Sequence, residues 1–261
     1  MKFARKPEPS HHPEALRMTE THSEYQPTEL ALIRVSGADA RSFLHAQTTQ
    51  DIDALPDGGR CLAAWLNAKG RVRALFEVIA DDEMLWLALP ADNRDYVITE
   101  LGRYVLRANV MLEAADAKAL PPALTDINLQ PSDADVLDAI RRGIPEVTAA
   151  QREQYIPRML NLDKLDAISF SKGCYPGQEI VARAANLGEV KRRLRHFKAS
   201  EGSPPTIGDA IVTADGKPAS NVNRVAVSDS GFELLAVVPV DTEQLALADD
   251  GRALTTASSP Y

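Results

Sequence analysis

The sequence predicts an α+β fold with mixed or antiparallel sheets and a small C-terminal β-barrel. In the first half, strand-like segments follow one another through short connections, which favours an α+β layer over a doubly wound βαβ sheet. Beyond Val190 the pattern changes to closely spaced short strands, which is typical of a small barrel. We therefore expect structured regions over residues 27–189 and 190–261. The polar arm over residues 1–26 has no hydrophobic period and should be flexible.

The elements of the first region follow from local signals. Apolar and β-branched runs predict strands over residues 29–35, 61–67, 71–79, 84–89 and 109–114. Helical periodicity, or an N-cap followed by good helix formers, predicts helices over residues 41–47, 91–106, 133–142 and 178–185. The short connection through Ala68, Lys69 and Gly70 predicts a hairpin between the second and third strands.

The second region reads as a succession of strands. They are expected over residues 191–197, 210–213, 222–227 and 233–240, with Asp215-Gly216 as a hairpin turn. The tail over residues 253–261 is small and polar, so we expect it to fray.

Composition excludes several classes of function. The net charge of −8 argues against a nucleic-acid partner, and no segment approaches the roughly 18 apolar residues of a membrane span. Cys61 and Cys174 lie far apart and neither belongs to a CxxC pair, which argues against a disulfide framework and a closed zinc site. Dinucleotide, NTP and zinc-protease motifs are missing from the sequence. We expect a cytoplasmic monomer.

One cysteine lies where a thiol becomes chemically useful. Residues 172–179, Lys-Gly-Cys-Tyr-Pro-Gly-Gln-Glu, form a glycine-bounded turn just before a predicted helix. The helix N-terminus stabilises an anion and Lys172 adds a cation nearby, so both favour the thiolate of Cys174. Cys174 and Lys172 are therefore candidate functional groups. The alternative is a buried structural cysteine.

The order of residues around Cys174 resembles a family signature. Lys-Gly-Cys-Tyr-x-Gly-Gln-Glu, then Ile-Val-Ala-Arg183, Gly188 and Val190-Lys-Arg192, is similar to the YgfZ family. Its members are folate-binding proteins of iron–sulfur cluster assembly, related to the glycine-cleavage T-protein, an aminomethyltransferase. Matches also occur in segments 35–49, 63–71 and 143–162, so the resemblance spans roughly residues 29 to 197. It implies a T-protein-like fold over residues 27–189.

The resemblance also implies ligands. Tetrahydrofolate is the expected cofactor, a transient iron–sulfur cluster is possible in principle, and the expected partners are iron–sulfur client or assembly proteins. We expect the ligand between the cysteine loop, the Asn67–Gly70 hairpin and the basic strand. The candidate binding residues are Asn67, Lys69, Tyr175, Gln178, Glu179, Arg183, Lys191 and Arg193.

Each candidate also has a structural interpretation. Glu179 and Arg183 have the spacing of a helical i,i+4 ion pair, Gln178 could cap the helix, and Asn67 could serve only as a turn residue. The basic run from Arg183 to Lys198 could be a solvated face. If it binds an anion, Lys191, Arg193 and Arg195 should share one strand face while Arg192 points away.

Two functions fit these patterns. The first is an assembly or repair factor for iron–sulfur clusters that uses Cys174 and folate. A single thiol cannot supply the four ligands that a cluster generally takes, so any cluster would be shared or transient. The second is an aminomethyltransferase-like enzyme of folate-dependent one-carbon transfer, so turnover stays an open question. The chain departs from the relatives at Arg141-Arg142-Gly143, where they have Glu-Ala-Gly. This reverses a charge at a ligand position.

Overall fold

The computed structural model describes residues 25–115, 121–186, 190–200 and 202–257. Residues 1–24 of the predicted arm, and Gly188 of the signature, lie outside the described residues. Tyr25, at the end of the arm, packs against the barrel core, and its hydroxyl donates to the carbonyl of Val225 at 2.9 Å. No helix in the described ranges is long and apolar enough to cross a membrane.

The first region is built on a five-stranded antiparallel sheet of order β2-β3-β4-β1-β5. All five predicted strands are confirmed. They are β1 Leu30–Ser36, β2 Arg60–Leu66, β3 Val72–Asp81, β4 Met84–Pro90 and β5 Met111–Ala114. The predicted hairpin joins β2 to β3, with Leu62 opposite Glu77 and Trp65 opposite Ala74.

One face of this sheet is covered by two helices, α1 Ala40–Gln47 and α2 Arg94–Gly102. Residues that alternate along the strands, such as Ala63 and Trp65, point into the core that they share with these helices. The helix predicted over residues 91–106 is shorter than expected, because a single 3-10 turn, Ala91–Asn93, precedes α2 and the helix ends at Gly102.

The second region is a closed barrel of order β10-β11-β6-β9-β8-β7. Its strands are β6 Arg192–Ala199, β7 Ala210–Thr213, β8 Pro218–Ser228, β9 Gly231–Pro239, β10 Leu245–Leu247 and β11 Ala253–Thr256. The expectation that the tail frays is wrong for residues 253–256. They pair with β10 and β6, and Leu254 is buried in the barrel core, because closing the barrel supplies hydrogen-bond partners for both edges.

A second core joins the two regions. It combines the other face of the sheet, α3 Asp133–Arg141, α4 Gln178–Asn186 and the outer face of the barrel. Leu75 of the sheet, Tyr175 of the cysteine loop and Leu235 of the barrel all belong to this cluster. The segment that carries the signature is therefore packed between the sheet and the barrel, which gives the cysteine loop a rigid support.

Candidate functional site

Cys174 is exposed on a loop that leads into α4. The helix begins at Gln178, as predicted, and its first bonds run from the Gln178 N–H to the Tyr175 carbonyl at 3.2 Å and from the Ile180 N–H to the Gly177 carbonyl at 3.2 Å. Cys174 therefore lies four residues before the first residue of the helix. Tyr175 points inward, and burial raises the pKa of its hydroxyl to about 12.

The cysteine loop packs directly on the β2–β3 hairpin through two glycines. A Cβ on Gly177 would lie 2.6 Å from the Asn67 carbonyl oxygen and 2.9 Å from the Gly70 Cα, and a Cβ on Gly70 would lie 2.8 Å from the Ile180 Cβ. Both glycines have positive φ, +80° and +69°. The structure thus brings together two of the three predicted walls, in a contact that only glycine permits.

Asn67 serves the hairpin turn, which is the structural interpretation of this residue. Its side-chain oxygen accepts hydrogen bonds from the N–H groups of Lys69 at 2.9 Å and Arg71 at 3.0 Å. Its carbonyl accepts from the Gly70 N–H at 2.9 Å. The Lys69 side chain is left exposed at the tip of the turn, close to the loop.

Lys172 fixes the loop to the end of helix α1. Its buried ammonium donates to the carbonyls of Thr48 at 2.8 Å and Gln50 at 3.1 Å, and also to that of His45. These carbonyls lie at or beyond the C-terminus of α1, where acceptors lack helical partners and a cation is favoured. Burial lowers the pKa of Lys172 to about 8, partly opposed by the nearby carboxylates of Asp51 and Asp53. Lys172 therefore acts first as a positioning group.

The outer side of α4 is exposed. Glu179 and Arg183 both face solvent, and no ion pair joins their side chains in the described structure. Gln178 is half-buried at the first position of the helix. The i,i+4 interpretation of the Glu179–Arg183 pair therefore has no support here, and both side chains are accessible to a ligand.

The basic strand is largely engaged in protein contacts. Arg193 makes a bidentate ion pair with Asp163, at 2.8 and 3.1 Å. Burial opposes ionisation of Asp163, but hydrogen bonds from Arg193 and Arg158 outweigh it and lower the pKa of this carboxyl. Arg195 donates to the Thr242 carbonyl at 2.7 Å. Lys191 is exposed just before β6, so it is the member of this group most available to a ligand.

A cavity of about 510 Å³ lies between the sheet, the segment after α3 and the barrel. Its lining mixes apolar side chains with acids and arginines, among them Leu62, Phe76, Glu77, Arg142, Glu146 and Arg224. Sequence reasoning did not predict this cavity, because its walls come from segments distant in the chain. The residues that it singled out as ligand-binding are not among the lining residues.

The polar groups that line the cavity include two acids, Glu77 and Glu146, and Arg224. Burial raises the pKa values of Glu146 and Glu77. The Glu146 carboxyl accepts a hydrogen bond from the Thr28 hydroxyl at 2.9 Å. The Arg224 Nε is buried, and none of the described residues gives it a hydrogen-bond partner. Buried polar atoms normally have partners, so an unsatisfied N–H beside a cavity indicates a place for a ligand atom or a water.

The altered triplet contributes to both the cavity and the barrel contact. Arg142 lines the cavity, whereas Arg141 lies outside its lining and pairs with the buried Glu233 at 2.7 Å. Glu233 also contacts His196 at 2.6 Å and Lys198 at 3.2 Å. Arg141 therefore ties α3 to β9 of the barrel, and Arg142 adds a positive charge to the cavity wall.

A chain of hydrogen bonds connects the cavity to the cysteine loop. Asp166 lines the cavity, and its carbonyl accepts a hydrogen bond from the Gln50 side chain. The Gln50 carbonyl in turn accepts from the Lys172 ammonium at 3.1 Å. Thr49, between these residues and the sheet, donates its hydroxyl to the Ala167 carbonyl at 2.7 Å. The cavity wall at Asp166 and the cysteine loop at Lys172 therefore belong to one hydrogen-bonded unit.

Comparisons with known proteins agree with this architecture. No family model matches the chain. An uncharacterized protein of Haemophilus influenzae is 29% identical over 252 aligned positions, covering 83% of this chain and 90% of that protein. The tRNA-modifying protein YgfZ of Klebsiella pneumoniae is 29% identical over 273 positions, covering 82% and 80%. Among solved structures, the glycine cleavage system aminomethyltransferase T of Bartonella henselae matches with a TM-score of 0.65 at 14% identity, covering 90% and 84% of the two chains.

Proposed function

Since the chain belongs to the YgfZ family, we propose that it binds folate and takes part in the assembly or repair of iron–sulfur clusters, with Cys174 as its functional thiol. The observation that carries the proposal is the exposed thiol on a rigid loop that is hydrogen-bonded to the wall of a ligand-sized cavity. The T-protein-like fold, shared with an aminomethyltransferase, supports the folate part of the proposal.

The cavity residues fit a folate. Its volume of about 510 Å³ lies within the usual range of small-molecule sites, about 300–1,000 Å³. A pterin ring presents N–H donors and ring acceptors, for which Glu77, Glu146 and the unpaired Arg224 Nε are suitable partners. Arg142 is suited to the carboxylates of a glutamate tail. Tetrahydrofolate would supply a carrier for one-carbon units.

Exposed and half-buried side chains around the cysteine loop extend this site in the proposal. Lys69, Gln178, Glu179, Arg183 and Lys191 would contact the part of the folate that leaves the cavity, or the partner protein. Asn67 and Tyr175 would hold the walls, since their polar and aromatic groups already serve the turn and the core. Arg193 would act through its ion pair with Asp163.

Titration with tetrahydrofolate by calorimetry tests the folate part. Glu77→Gln should weaken binding at least about tenfold, because a hydrogen bond to a charged acceptor contributes about 1.5–3 kcal/mol. Glu83→Gln, an exposed acid in the turn between β3 and β4, is the matched control and should bind like the wild type. Equal affinity of the two variants would show that folate does not bind in the cavity. An absence of binding to the wild type would refute the folate part of the proposal.

The role of the thiol follows from its chemistry. A thiolate can donate to iron or attack a persulfide, but one thiolate cannot complete the ligand set of a stable cluster. We therefore propose that iron–sulfur client or assembly proteins share or receive the cluster, and that the purified protein is colourless.

Complementation of cells that lack the protein tests the thiol. Their iron–sulfur enzymes should lose activity, most clearly under oxidative stress. Cys174→Ala should fail to restore that activity, whereas Cys61→Ala should restore it, since burial raises the pKa of Cys61 to about 12 and keeps it protonated. Full restoration by Cys174→Ala would overturn this part of the proposal.

The YgfZ relatives are named tRNA-modifying proteins, which adds tRNA modification to the processes to consider. Because the net charge is −8, we propose that any role in that process acts through an enzyme rather than through direct binding to RNA. We place the protein in the cytoplasm as a monomer within the same proposal.

An aminomethyltransferase-like enzyme is the second candidate, which the fold favours. Such an enzyme would transfer a one-carbon unit from an aminomethyl donor to tetrahydrofolate and would tolerate Cys174→Ala. Turnover by that variant at ordinary rates, about 1–10³ s⁻¹, would replace the assembly role with this one.

A further inference from the structure

A second cavity, of about 260 Å³, lies where the β2–β3 hairpin, the segment over residues 154–159 and the barrel meet. It shares no lining residue with the larger cavity described above. Two arginines and no acid line it, although the whole chain has a net charge of −8. We call it the arginine cavity, and its polar lining consists of Arg71, Gln154, Tyr155, Arg192, Ser220 and Asn221.

The hairpin wall of the arginine cavity holds Arg71 in place. The backbone N–H of Arg71 donates to the Asn67 Oδ1 at 3.0 Å, and the N–H of Val72 donates to the Tyr155 carbonyl at 2.8 Å. The Arg71 guanidinium donates through Nη1 to the Gln154 carbonyl at 2.6 Å. A guanidinium carries five N–H donors, so most of the donors of Arg71 can still bind a ligand.

The barrel wall supplies Arg192 from β6. Its Nη2 donates to the carbonyl of Val237 on β9 at 2.9 Å and to that of Ala219 on β8. The Ser220 hydroxyl donates to the same Val237 carbonyl at 2.7 Å. The guanidinium is therefore fixed across three neighbouring strands, and its Nε and Nη1 are not used in these bonds.

Neither guanidinium has a carboxylate partner in the part of the chain that the structure describes. The hydrogen bonds of Arg71 and Arg192 end on backbone carbonyls, whereas Arg73, two residues after Arg71, pairs with Glu153 at 2.8 Å. Carbonyl groups satisfy donors without neutralising a charge. The charge of Arg192 acts at Tyr155, since burial raises the pKa of that hydroxyl and the guanidinium partly offsets the rise.

Neutral donors and exposed walls complete the arginine cavity. The Asn221 amide donates one N–H to the Gly208 carbonyl at 2.7 Å and has a second N–H for a ligand. Gln154 and Asn221 are both exposed, so the cavity is reached from the surface. A charged group can therefore enter while the rest of its molecule stays outside.

We propose that the arginine cavity binds a phosphate group between Arg71 and Arg192. A guanidinium binds carboxylate or phosphate oxygens through two parallel N–H bonds. One guanidinium balances a carboxylate, whereas a phosphomonoester carries a charge of about −1.5 to −2 at pH 7 and matches two. The volume is smaller than the about 300–1,000 Å³ of sites that enclose a drug-sized molecule, so it suits the phosphate group itself. This inference requires neither folate nor Cys174.

Calorimetric titration of the full chain with inorganic phosphate, at pH 7.5 and low salt, tests the inference. The wild type should show saturable binding. Arg71→Gln and Arg192→Gln should each weaken it at least about tenfold, because each removes charge-assisted hydrogen bonds. Arg103→Gln removes the same charge from an exposed arginine that pairs with Glu100, and it should bind like the wild type.

Two further probes identify the ligand class. Glycerol 3-phosphate that binds as tightly as inorganic phosphate, or more tightly, would support a phosphomonoester, and weaker binding would support free phosphate. Glutarate, which carries two carboxylates, should bind more weakly than both. If glutarate binds as tightly as phosphate, the assignment to a phosphate group is overturned.

Absence of saturable binding of both phosphate probes to the wild type would overturn the inference. An equal loss of affinity in Arg103→Gln would overturn it too, because the effect would then come from net charge alone. Circular dichroism checks that the variants fold. If Arg192→Gln does not fold, because two carbonyls lose their donor, Arg71→Gln decides, and unchanged affinity there would contradict the proposed site. Arg71→Lys, which keeps the charge but not the planar fork, should have intermediate affinity.

Discussion

Replacing the Lys172 ammonium should change how the stability of the protein depends on pH. Lys172 is 9% exposed, and its ammonium donates to three backbone carbonyls around the end of α1. Lys172→Met keeps the length of the side chain and removes both the charge and the donors. At neutral pH the variant loses hydrogen bonds, which lowers the free energy of unfolding, but it no longer buries a charge, which raises it. The informative quantity is therefore the pH dependence of that free energy.

The sign follows from the lowered pKa of Lys172. Below about pH 8 the amine is charged in both the folded and the unfolded chain, and the folded state carries the cost of burial. Between about 8 and 10.5 the folded chain releases the proton while the unfolded chain keeps it, so unfolding takes up a proton and the free energy of unfolding rises with pH. This lowering of the pKa corresponds to at most about 3 kcal/mol.

Urea unfolding followed by circular dichroism between pH 7 and 10 measures this contribution as a difference. The free energy of unfolding of the wild type minus that of Lys172→Met should grow as the pH rises above about 8. Burial raises the pKa values of Cys61 and Tyr175 to about 12, so both groups lower the free energy of unfolding at high pH. They do so in both proteins, and their effects therefore cancel in the difference. Lys69→Met, at an exposed lysine, should give a constant difference. A constant or falling difference for Lys172→Met would refute the reasoning.

Two further predictions concern the walls of the site. Gly177→Ala should destabilise the protein by more than Gly216→Ala, which has a similar φ of +75° but open space around its Cβ, because only Gly177 meets backbone atoms at 2.6 and 2.9 Å; equal midpoints in urea would contradict the close packing of loop and hairpin. Lys191→Ala should weaken tetrahydrofolate binding without changing stability, whereas Arg193→Lys should lower both affinity and stability, since it breaks the bidentate pair with Asp163. Calorimetry measures the affinity and urea unfolding the stability. Unchanged affinity in both variants would show that the basic strand is not part of the ligand site.

Local chemistry determined most of the secondary structure. The β-branched and apolar runs that predicted β1 to β5, and the glycine and proline signals around them, depend on neighbouring residues, so they can be read without knowledge of the fold. The signals that predict the start of α4 after the cysteine loop are equally local. The prediction failed at β11, whose composition resembles a frayed tail, because its stability comes from β6 and β10 across the barrel.

The sequence by itself identified the thiol, its loop, the hairpin next to it and the family signature, since these depend on residues that are close in the chain. Only the tertiary structure decided what their neighbours do. In the folded chain the Lys172 ammonium donates to carbonyls at the end of α1, and Arg193 pairs with Asp163. The His45 ring lies next to Gly173. The tertiary structure also forms the cavity between the sheet and the barrel. Contacts and cavities of this kind join segments separated by tens to more than a hundred residues, and local patterns of charge and hydrophobicity do not specify which distant groups will meet.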